Sequence, residues 1–332
     1  MNTEKSSIKN SRLKESGESL ALQLKSMAGI LCALVIMVIL LSFASESFLT
    51  ARNLLTVLRS VAIDAMVAFG MTFVIVGGGI DLSVGSVIAF VSVICAIFIE
   101  RLGIPVPLAI LLSLFAGILI GAVNGFIITK MKMLPFITTL GTSYIFRGAV
   151  NLMTDSQAVM VSDENFYNIG TGYVAGIPVT VIYMIVVLVI LSIVLRKTKY
   201  GRKLYAVGGN ETAARFSGIN VDRTRMISYC IMGLMAAAAG VIQCAKLFGG
   251  QPTIGQNAEM DAIAAAILGG TSFTGGVGTL SGTLIGTMVL GIMNNGLNLL
   301  GIRSYWQYVA RGAIIIVAVF FDVIRNRKKS KQ

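Results

Sequence analysis

An aspartate beside a run of glycines is the clearest candidate for chemistry in this sequence. Asp81 follows Gly77, Gly78 and Gly79, and long apolar segments flank the stretch on both sides. Each glycine weakens a helix by roughly 1 kcal/mol relative to alanine, so we expect the helix to break here. Two alternatives follow for the carboxylate. It lines the route of a polar solute through a bent segment, or it caps the next helix after an ordinary turn.

Other polar side chains lie inside apolar segments, where each either hydrogen-bonds a neighbouring helix or contacts a polar solute. The candidates for a translocation pathway are Asp81, Ser83, Asn124, Asn294, Asn295 and Asn298. For each of them taken singly, a structural hydrogen bond is the simpler explanation. Arg147 and Arg311 also fall within apolar segments, and we expect Arg147 to pair with a carboxylate or with backbone carbonyls.

The sequence lacks the residues of most catalytic and metal sites. It contains no histidine, and its four cysteines include no C-x-x-C pair. We therefore predict no catalytic residue, no bound metal and no cofactor, and we expect that the chain is not an enzyme. It also has no G-x-x-x-x-G-K-[ST] motif, so it cannot bind ATP through a P-loop. Active transport would need either an ion gradient or an ATPase on another chain.

The elements that must position these side chains are transmembrane helices. Hydrophobic residues make up 55% of the 332 residues and charged residues only 13%. A soluble domain usually has about 25% charged residues. Several apolar stretches approach the roughly 20 residues that a helix needs to cross a bilayer. We predict an all-α, polytopic integral membrane protein with about ten transmembrane helices and both termini in the cytoplasm.

The net charge of +12 is explained by membrane topology. Of the 27 Lys and Arg residues, 20 lie in two tails and two interior loops that the predicted topology places in the cytoplasm. This placement favours membrane lipid and a cytosolic protein as partners and argues against nucleic acid. The predicted divisions are a cytoplasmic tail over 1–26, a transmembrane domain over 27–324 and a second cytoplasmic tail over 325–332.

Two of the predicted spans have uncertain bounds. The second span is expected to start near Val61, after a segment that contains two arginines. The eighth is the least regular, because a glycine-rich stretch from Gly269 to Gly276 follows the apolar run Asp261–Leu268.

The longest strongly charged interior segment runs over 196–225 and contains eight Lys and Arg residues. Within it, Asn210 is a good N-cap, Glu211 suits the positive end of a helix, and Gly218 is placed to end it. So short a helix is marginal in water, so we expect either the loop and membrane-proximal protein or a partner to hold it. A surface-lying interfacial helix is the alternative, but the small apolar patch of Ala213, Ala214 and Phe216 suits a protein groove better. The predicted segment comprises Asn210, Glu211, Thr212, Ala213, Ala214, Arg215, Phe216, Ser217 and Gly218.

Two parts of the chain resemble each other at an offset of 197 residues. The alignment pairs Asp64 with Asp261, and it pairs the glycines at 78 and 79 with those at 275 and 276. Paired, glycine-interrupted segments indicate a transport site in carriers that are built from repeats. Chance similarity in a sequence rich in Gly and Ala is the alternative.

Glycines spaced by four, at 117, 121 and 125 and at 278, 282 and 286, favour close helix packing within one subunit, or else a dimer seam.

Five ordered motifs resemble those of the permease subunit of bacterial ribose-type ABC importers. They read GMTFVIVGGGIDLSVGSVIAF, TLGTSYIFRG, YGRKLYAVGGNETAARFSGINVDRTR, DAIAAAILGGTSFTGGVGTLSGTLIG and NNGLNLLGI. The similarity extends from about Leu31 to Phe321, and no central motif departs from the family pattern.

The resemblance implies a multi-pass protein of the bacterial inner membrane that forms its pathway as a homodimer. It also implies a cytoplasmic ATPase subunit with two fused nucleotide-binding modules, and an extracytoplasmic sugar-binding protein. A short cytoplasmic helix of such permeases sits in a cleft of the ATPase, and the segment that fits here is 210–218. Closure of the ATPase pair on ATP would push on this helix and turn the pathway from inward-facing to outward-facing.

The function that the resemblance implies is the import of a monosaccharide, with ribose as the expected solute. Another pentose or hexose, a furanose-like signalling molecule or a nucleoside are alternatives within the same class. A gradient-driven secondary carrier is the alternative from another class, because the chain itself has no P-loop.

Overall fold

The structure is a computed structural model that describes residues 29–329. The predicted cytoplasmic tail over 1–26 lies outside the described residues, and so do residues 330–332. The helices are α1 Gly29–Ala44, α2 Ala51–Val76, α3 Val84–Ala96, α4 Val106–Lys130, α5 Pro135–Thr154, α6 Glu164–Thr171, α7 Val179–Lys197, α8 Lys199–Gly209, α9 Glu211–Phe216, α10 Val221–Lys246, α11 Ala258–Leu268, α12 Leu280–Leu299 and α13 Ser304–Lys329.

The remaining regular structure is small. Helix α3 continues into a turn of π-helix, Ile97–Arg101. Two antiparallel pairs of short strands join loops. Strand β1 Val159–Met160 pairs with β4 Gly249–Gly250, and β2 Tyr173–Val174 pairs with β3 Ile177–Pro178. One of these strands, β1, contacts the π-helical turn. The prediction of an all-α protein is therefore confirmed.

Five helices among residues 29–329 are long and apolar enough to cross a membrane. They are α2, α3 with its π turn, α4, α7 and α10. Helix α1 is apolar but shorter. Several candidate spans in one chain agree with the prediction of a polytopic membrane protein.

Helix α2 is the buried centre of the bundle. Every residue from Ala65 to Val76 is buried, and the helix packs against α7, α10, α11 and α12. A helix that is apolar on all sides can be surrounded by other helices without leaving a polar face unsolvated. Candidate functional groups of α2 are therefore found at its two ends and at its few polar residues.

The start of α2 differs from the prediction. We expected the second span to begin near Val61, but the helix begins at Ala51, because Thr50 caps it by accepting a hydrogen bond from the Asn53 backbone N–H. Arg59 lies within the helix, and its guanidinium donates to the Thr171 carbonyl oxygen at 2.6 Å. Arg59 is therefore bound by the last residue of α6 in the same chain.

Glycines bring two pairs of helices into close contact. A Cβ atom on Gly121 of α4 would lie 2.2 Å from the carbonyl oxygen of Tyr229 in α10. In the same way, a Cβ atom on Gly286 of α12 would lie 2.1 Å from the carbonyl oxygen of Ala265 in α11. These contacts lie within one chain, so the prediction of packing inside one subunit is confirmed for both glycine rows.

The irregular eighth span has a physical cause. Helix α11 has 11 residues, which at 1.5 Å per residue extend only about 16 Å, far short of the roughly 30 Å hydrocarbon core. The chain then passes through a glycine-rich turn in which Gly270, Gly275 and Gly276 have positive φ angles. Helix α12 begins after this turn at Leu280.

Candidate functional site

The predicted short helix in the charged loop is present, and the structure shows how the sequence builds it. Helix α9 begins after Asn210, whose Oδ1 accepts a hydrogen bond from the Ala213 N–H at 2.9 Å. It ends before Gly218, which has a φ of +77° and so adopts the left-handed conformation that glycine tolerates best. The Ile219 N–H then donates to the Ala214 carbonyl oxygen at 3.0 Å and closes the turn.

Helix α9 has one buried side and one exposed side. Ala214 is only 4% exposed and packs in a small cluster with Val207 and Val221. Phe216, at the end of the helix, is 88% exposed. Its ring lies in the charged loop, outside the apolar helices, so we treat it as a candidate contact for another protein. The other exposed residues of the predicted segment are Asn210, Thr212, Ala213, Arg215, Ser217 and Gly218.

A network of charged side chains ties α9 to the bundle. Glu211 accepts hydrogen bonds from Arg215 at 3.1 Å and from Arg225 at 2.7 Å. Burial alone would raise the pKa of the Glu211 carboxyl, but the hydrogen bonds and charges of Arg215 and Arg225 lower it below its usual value. Glu211 is therefore ionised at neutral pH. Arg225 also donates from Nε to the Gly77 carbonyl oxygen at 2.9 Å, just after the last residue of α2.

The glycine runs at 77–79 and 275–276, which we call the glycine elbows, meet beneath the charged loop. The Gly276 N–H donates to the Val76 carbonyl oxygen at 2.9 Å, so the two elbows touch directly. Gly208 of α8 lies against both, because a Cβ atom there would be 1.7 Å from the Val76 oxygen and 2.6 Å from the Gly276 nitrogen. The charged loop therefore rests on the junction of the two elbows.

Three of the predicted pathway residues form one buried cluster. Asp81 is 2% exposed and accepts hydrogen bonds from the Ser83 N–H at 2.9 Å and from its hydroxyl at 2.6 Å. The Asn124 carboxamide donates to the Ser83 hydroxyl oxygen at 2.9 Å. The gap beside these side chains has no room for a water molecule. In this conformation the cluster joins α4 to the first elbow.

The three asparagines of α12 have different surroundings. Asn295 exchanges hydrogen bonds with Asn53 of α2 at 2.7 and 3.0 Å. Asn298 accepts a hydrogen bond from Gln307 of α13 at 2.7 Å. Asn294 lines an open cavity. Of the three, Asn294 alone lines this cavity. The pathway role of all three stays a prediction.

This cavity has a volume of about 250 Å³ and lies between α2, α3, α10, α11, α12 and α13. Its polar lining includes two carboxylates and a guanidinium. Arg311 donates to the Asp261 carboxylate at 2.9 Å and, less closely, to the Asn294 carboxamide oxygen at 3.3 Å. The residues that line the cavity are Asp64, Val67, Ile88, Gln243, Gly255, Gln256, Ala258, Asp261, Ala262, Thr287, Leu290, Asn294 and Arg311.

Comparison with known protein families gives a match over most of the chain. The model of the family described as "branched-chain amino acid transport system / permease component" matches residues 53–319. The chain belongs to this permease family. The predicted resemblance to a permease is confirmed. With its several apolar helices, the permease is a multi-pass protein of the bacterial inner membrane and a component for transport.

Among curated relatives, the permease is similar to ribose import permeases. It is 47% identical to the ribose import permease protein RbsC of Bacillus subtilis, over 90% of this chain and 91% of the relative. It is 42% identical to RbsC of Escherichia coli K12, over 90% and 93% of the two chains. The xylose transport system permease protein XylH of the same strain is 33% identical over 85% and 87%. No solved structure gave a significant match.

Sequence reasoning missed most of the cavity of this permease. It did not name Asp64, Asp261 or Gln243 as pathway candidates, and it left Arg311 without a partner. The available signal was the repeat at an offset of 197 residues, which pairs Asp64 with Asp261. The structure places both aspartates at one cavity and brings the paired glycines into contact. Arg147, by contrast, donates to the carbonyl oxygens of Pro252 and Ile254, as predicted.

Proposed function

We propose that this permease is the membrane-spanning subunit of an ATP-binding-cassette importer for a monosaccharide, and that the monosaccharide is ribose. The observation that carries the proposal is the 47% identity to a ribose import permease over 90% of the chain. The 33% identity to a xylose permease supports the same class of solute with weaker similarity. The permease itself hydrolyses no ATP, and the energy comes from an ATPase on another chain.

The proposed topology has ten crossings, with both termini in the cytoplasm. Nine of them are α1, α2, α3, α4, α5, α7, α10, α12 and α13, and the eighth in chain order is the short helix α11 completed by the glycine-rich turn over 269–279. The positive-inside rule supports this orientation. Lys130 and Lys132 lie at the same end of the bundle as α8 and α9, where Lys132 forms an ion pair with Asp222 at 3.0 Å. This end is therefore cytoplasmic, and the cavity lined by Gln243, near the opposite end of α10, belongs to the outer half.

The proposed assembly contains two copies of the permease, a cytoplasmic ATPase subunit with two fused nucleotide-binding modules, an extracytoplasmic sugar-binding protein and surrounding membrane lipid. The segment 210–218 docks into the ATPase. The position of Phe216 supports this docking. The residue projects from α9, the other side of which packs on the bundle, so the ring is held in a defined position toward the cytoplasm.

The proposed mechanism transmits movement from α9 to the glycine elbows. Glu211 at the start of α9 binds Arg225, and Arg225 binds the Gly77 carbonyl oxygen at the end of α2. Gly208 brings α8 onto both elbows at once. A push on α9 therefore reaches the ends of α2 and α11 through hydrogen bonds and backbone contact. Glycine backbones that adopt many φ/ψ combinations give the elbows the freedom to move.

Uptake by proteoliposomes that contain the permease, the ATPase and the binding protein encoded with it tests this function. We expect accumulation of labelled ribose that requires ATP and survives an uncoupler. Uptake without the ATPase subunit that collapses with an uncoupler would instead identify a gradient-driven carrier. Uptake of labelled xylose, of a hexose, of a furanose-like signalling molecule or of a nucleoside, with no uptake of ribose, would replace the proposed solute and keep the class of transporter.

Substitution of Phe216 tests the docking role separately. We expect Phe216→Asp to leave the permease in the membrane and to uncouple ATP turnover from uptake, because burying a charge in an apolar cleft is costly. We expect the same of Glu211→Lys, because it replaces the ion pairs with Arg215 and Arg225 by repulsion. Phe216→Leu keeps an apolar side chain and serves as the matched control. Unchanged ATP turnover and uptake in Phe216→Asp would rule out docking through this residue.

A further inference from the structure

We propose that the 250 Å³ cavity is the site where a neutral, polyhydroxylated solute contacts the permease, and that Asp64, Asp261 and Arg311 bind its hydroxyl groups. The inference rests on the proposed function, since it names the contact site of that solute. None of these three residues was among the pathway candidates that the sequence suggested.

Asp64 is the residue that most requires a ligand. It lies in the middle of α2, its side chain is exposed to the cavity, and it makes no hydrogen bond to any residue in the described part of the chain. A carboxylate at membrane depth is costly unless a partner or a polar cavity compensates it. An ionised carboxylate has about four acceptor positions, so it can receive several hydroxyl donors from a sugar or from water that the sugar displaces.

Asp261 and Arg311 form the opposite wall. Their ion pair, 2.9 Å long, joins α11 to α13, and the side chains are still 28% and 22% exposed. Part of each charged group is therefore open to the cavity. Arg311 supplies donors and Asp261 supplies acceptors, and the carboxamides of Gln243 and Asn294 supply both. Sugar hydroxyls also donate and accept, so this mixed lining matches them.

The lining carries both signs of charge. The carboxylates of Asp64 and Asp261 lie with the guanidinium of Arg311 around the cavity, and Lys246 lines an adjoining cavity of about 240 Å³ together with Asp64. Drug-sized ligands use cavities of roughly 300–1,000 Å³, so the space here suits a smaller, monosaccharide-sized solute.

The position of the cavity supports a transport role. The alignment at an offset of 197 residues pairs Asp64 with Asp261, and carriers that are built from repeats bind their solutes between such paired, glycine-interrupted segments. Asp64 lies 12 residues, or about 18 Å of helix, before Val76, the last residue of α2 and the one that precedes the first elbow. Because α2 and α11 each lead into a glycine elbow, movement of the elbows changes the spacing of the two aspartates.

Substitutions of Asp64 in the reconstituted complex test the proposal. Asp64→Leu keeps a branched side chain and removes every acceptor, and we expect uptake of ribose to fall at least 10-fold. Asp64→Asn keeps the shape and some hydrogen bonds, and an intermediate loss is expected. The amount of folded permease is measured for each variant, and we expect it to match that of the unmodified protein. Thr56→Val is the control, because Thr56 lies in the same helix outside the cavity and bonds only the Arg52 carbonyl oxygen among the described contacts.

The outcomes separate this proposal from the proposed function. Absence of ribose uptake by the unmodified complex would refute the function. Uptake by the unmodified complex together with unchanged uptake by both Asp64 variants would refute the cavity assignment alone. A loss of folded permease in both variants that accounts for the loss of uptake would also overturn it, because Asp64 would then serve folding.

Discussion

Two adjacent glycines give the sharpest test of how the charged loop sits on the bundle. Gly208 and Gly209 are the last residues of α8, and both would gain the same methyl group in an alanine variant. The added Cβ atom at Gly208 would lie 1.7 Å from the Val76 carbonyl oxygen, whereas the one at Gly209 would have nothing within 4 Å. The two variants therefore differ in packing alone.

The expected magnitudes follow from this difference. Cβ atoms essentially never approach other heavy atoms within 3.0 Å, so α8 or the elbow must move by about 1.3 Å in Gly208→Ala. Overpacking of this kind costs about 1–3 kcal/mol. Loss of the hydrogen bond between Gly276 and Val76 would cost about 1 kcal/mol more. The better helix propensity of alanine stabilises the folded state of both variants by up to about 1 kcal/mol. We expect Gly208→Ala to be less stable than Gly209→Ala by about 2–4 kcal/mol.

The assay is thermal unfolding of the two purified permeases in the same detergent, followed by uptake and ATP turnover in the reconstituted complex. Gly208→Ala should melt at a clearly lower temperature and should take up less ribose for each ATP hydrolysed. Gly209→Ala should match the unmodified permease or exceed its melting temperature slightly. Equal melting temperatures for the two variants, or a lower one for Gly209→Ala, would refute the contact between α8 and the elbows.

Three further predictions concern helix packing, coupling and the buried aspartate. Gly121→Leu should prevent α4 from packing on the backbone of α10 and should sharply reduce the yield of folded permease by gel filtration; Gly141→Leu, where nothing lies within 4 Å, should not. Arg225→Lys should lower uptake per ATP severalfold, because an ammonium cannot reproduce the geometry by which the guanidinium binds both Glu211 and the first elbow; an unchanged ratio of uptake to ATP turnover would contradict the relay. Asp81→Asn should impair transport more than assembly, and loss of the permease from the membrane fraction would assign Asp81 a purely structural role.

Local features of the sequence were sufficient for the class of protein and for the short helix in the charged loop. Apolar segment lengths and the placement of Lys and Arg depend only on neighbouring residues, and so do the capping signals at Asn210 and Gly218. Such features act through the transfer of side chains between water and hydrocarbon, or through backbone hydrogen bonds within one turn. Neither requires knowledge of which helices are neighbours.

The direction in which each intramembrane polar side chain points was decided by the tertiary structure. Asp81 and Asn294 looked equivalent in the sequence, yet one is sealed in a hydrogen-bonded cluster and the other reaches an open cavity. In a chain that is apolar on nearly every helix face, hydrophobic periodicity does not reveal which face meets another helix. That choice depends on packing between distant segments.

The sequence by itself determined that the chain is an all-α membrane protein, that its charged loop contains a capped helix, and that two segments share glycines and an aspartate. Only the tertiary structure brought Asp64 and Asp261 to one cavity and placed Arg225 on the carbonyl oxygen of Gly77, 148 residues away. The physical reason is that caps and spans are made within a single turn or a single helix. A cavity and a relay require several helices to pack in one particular arrangement.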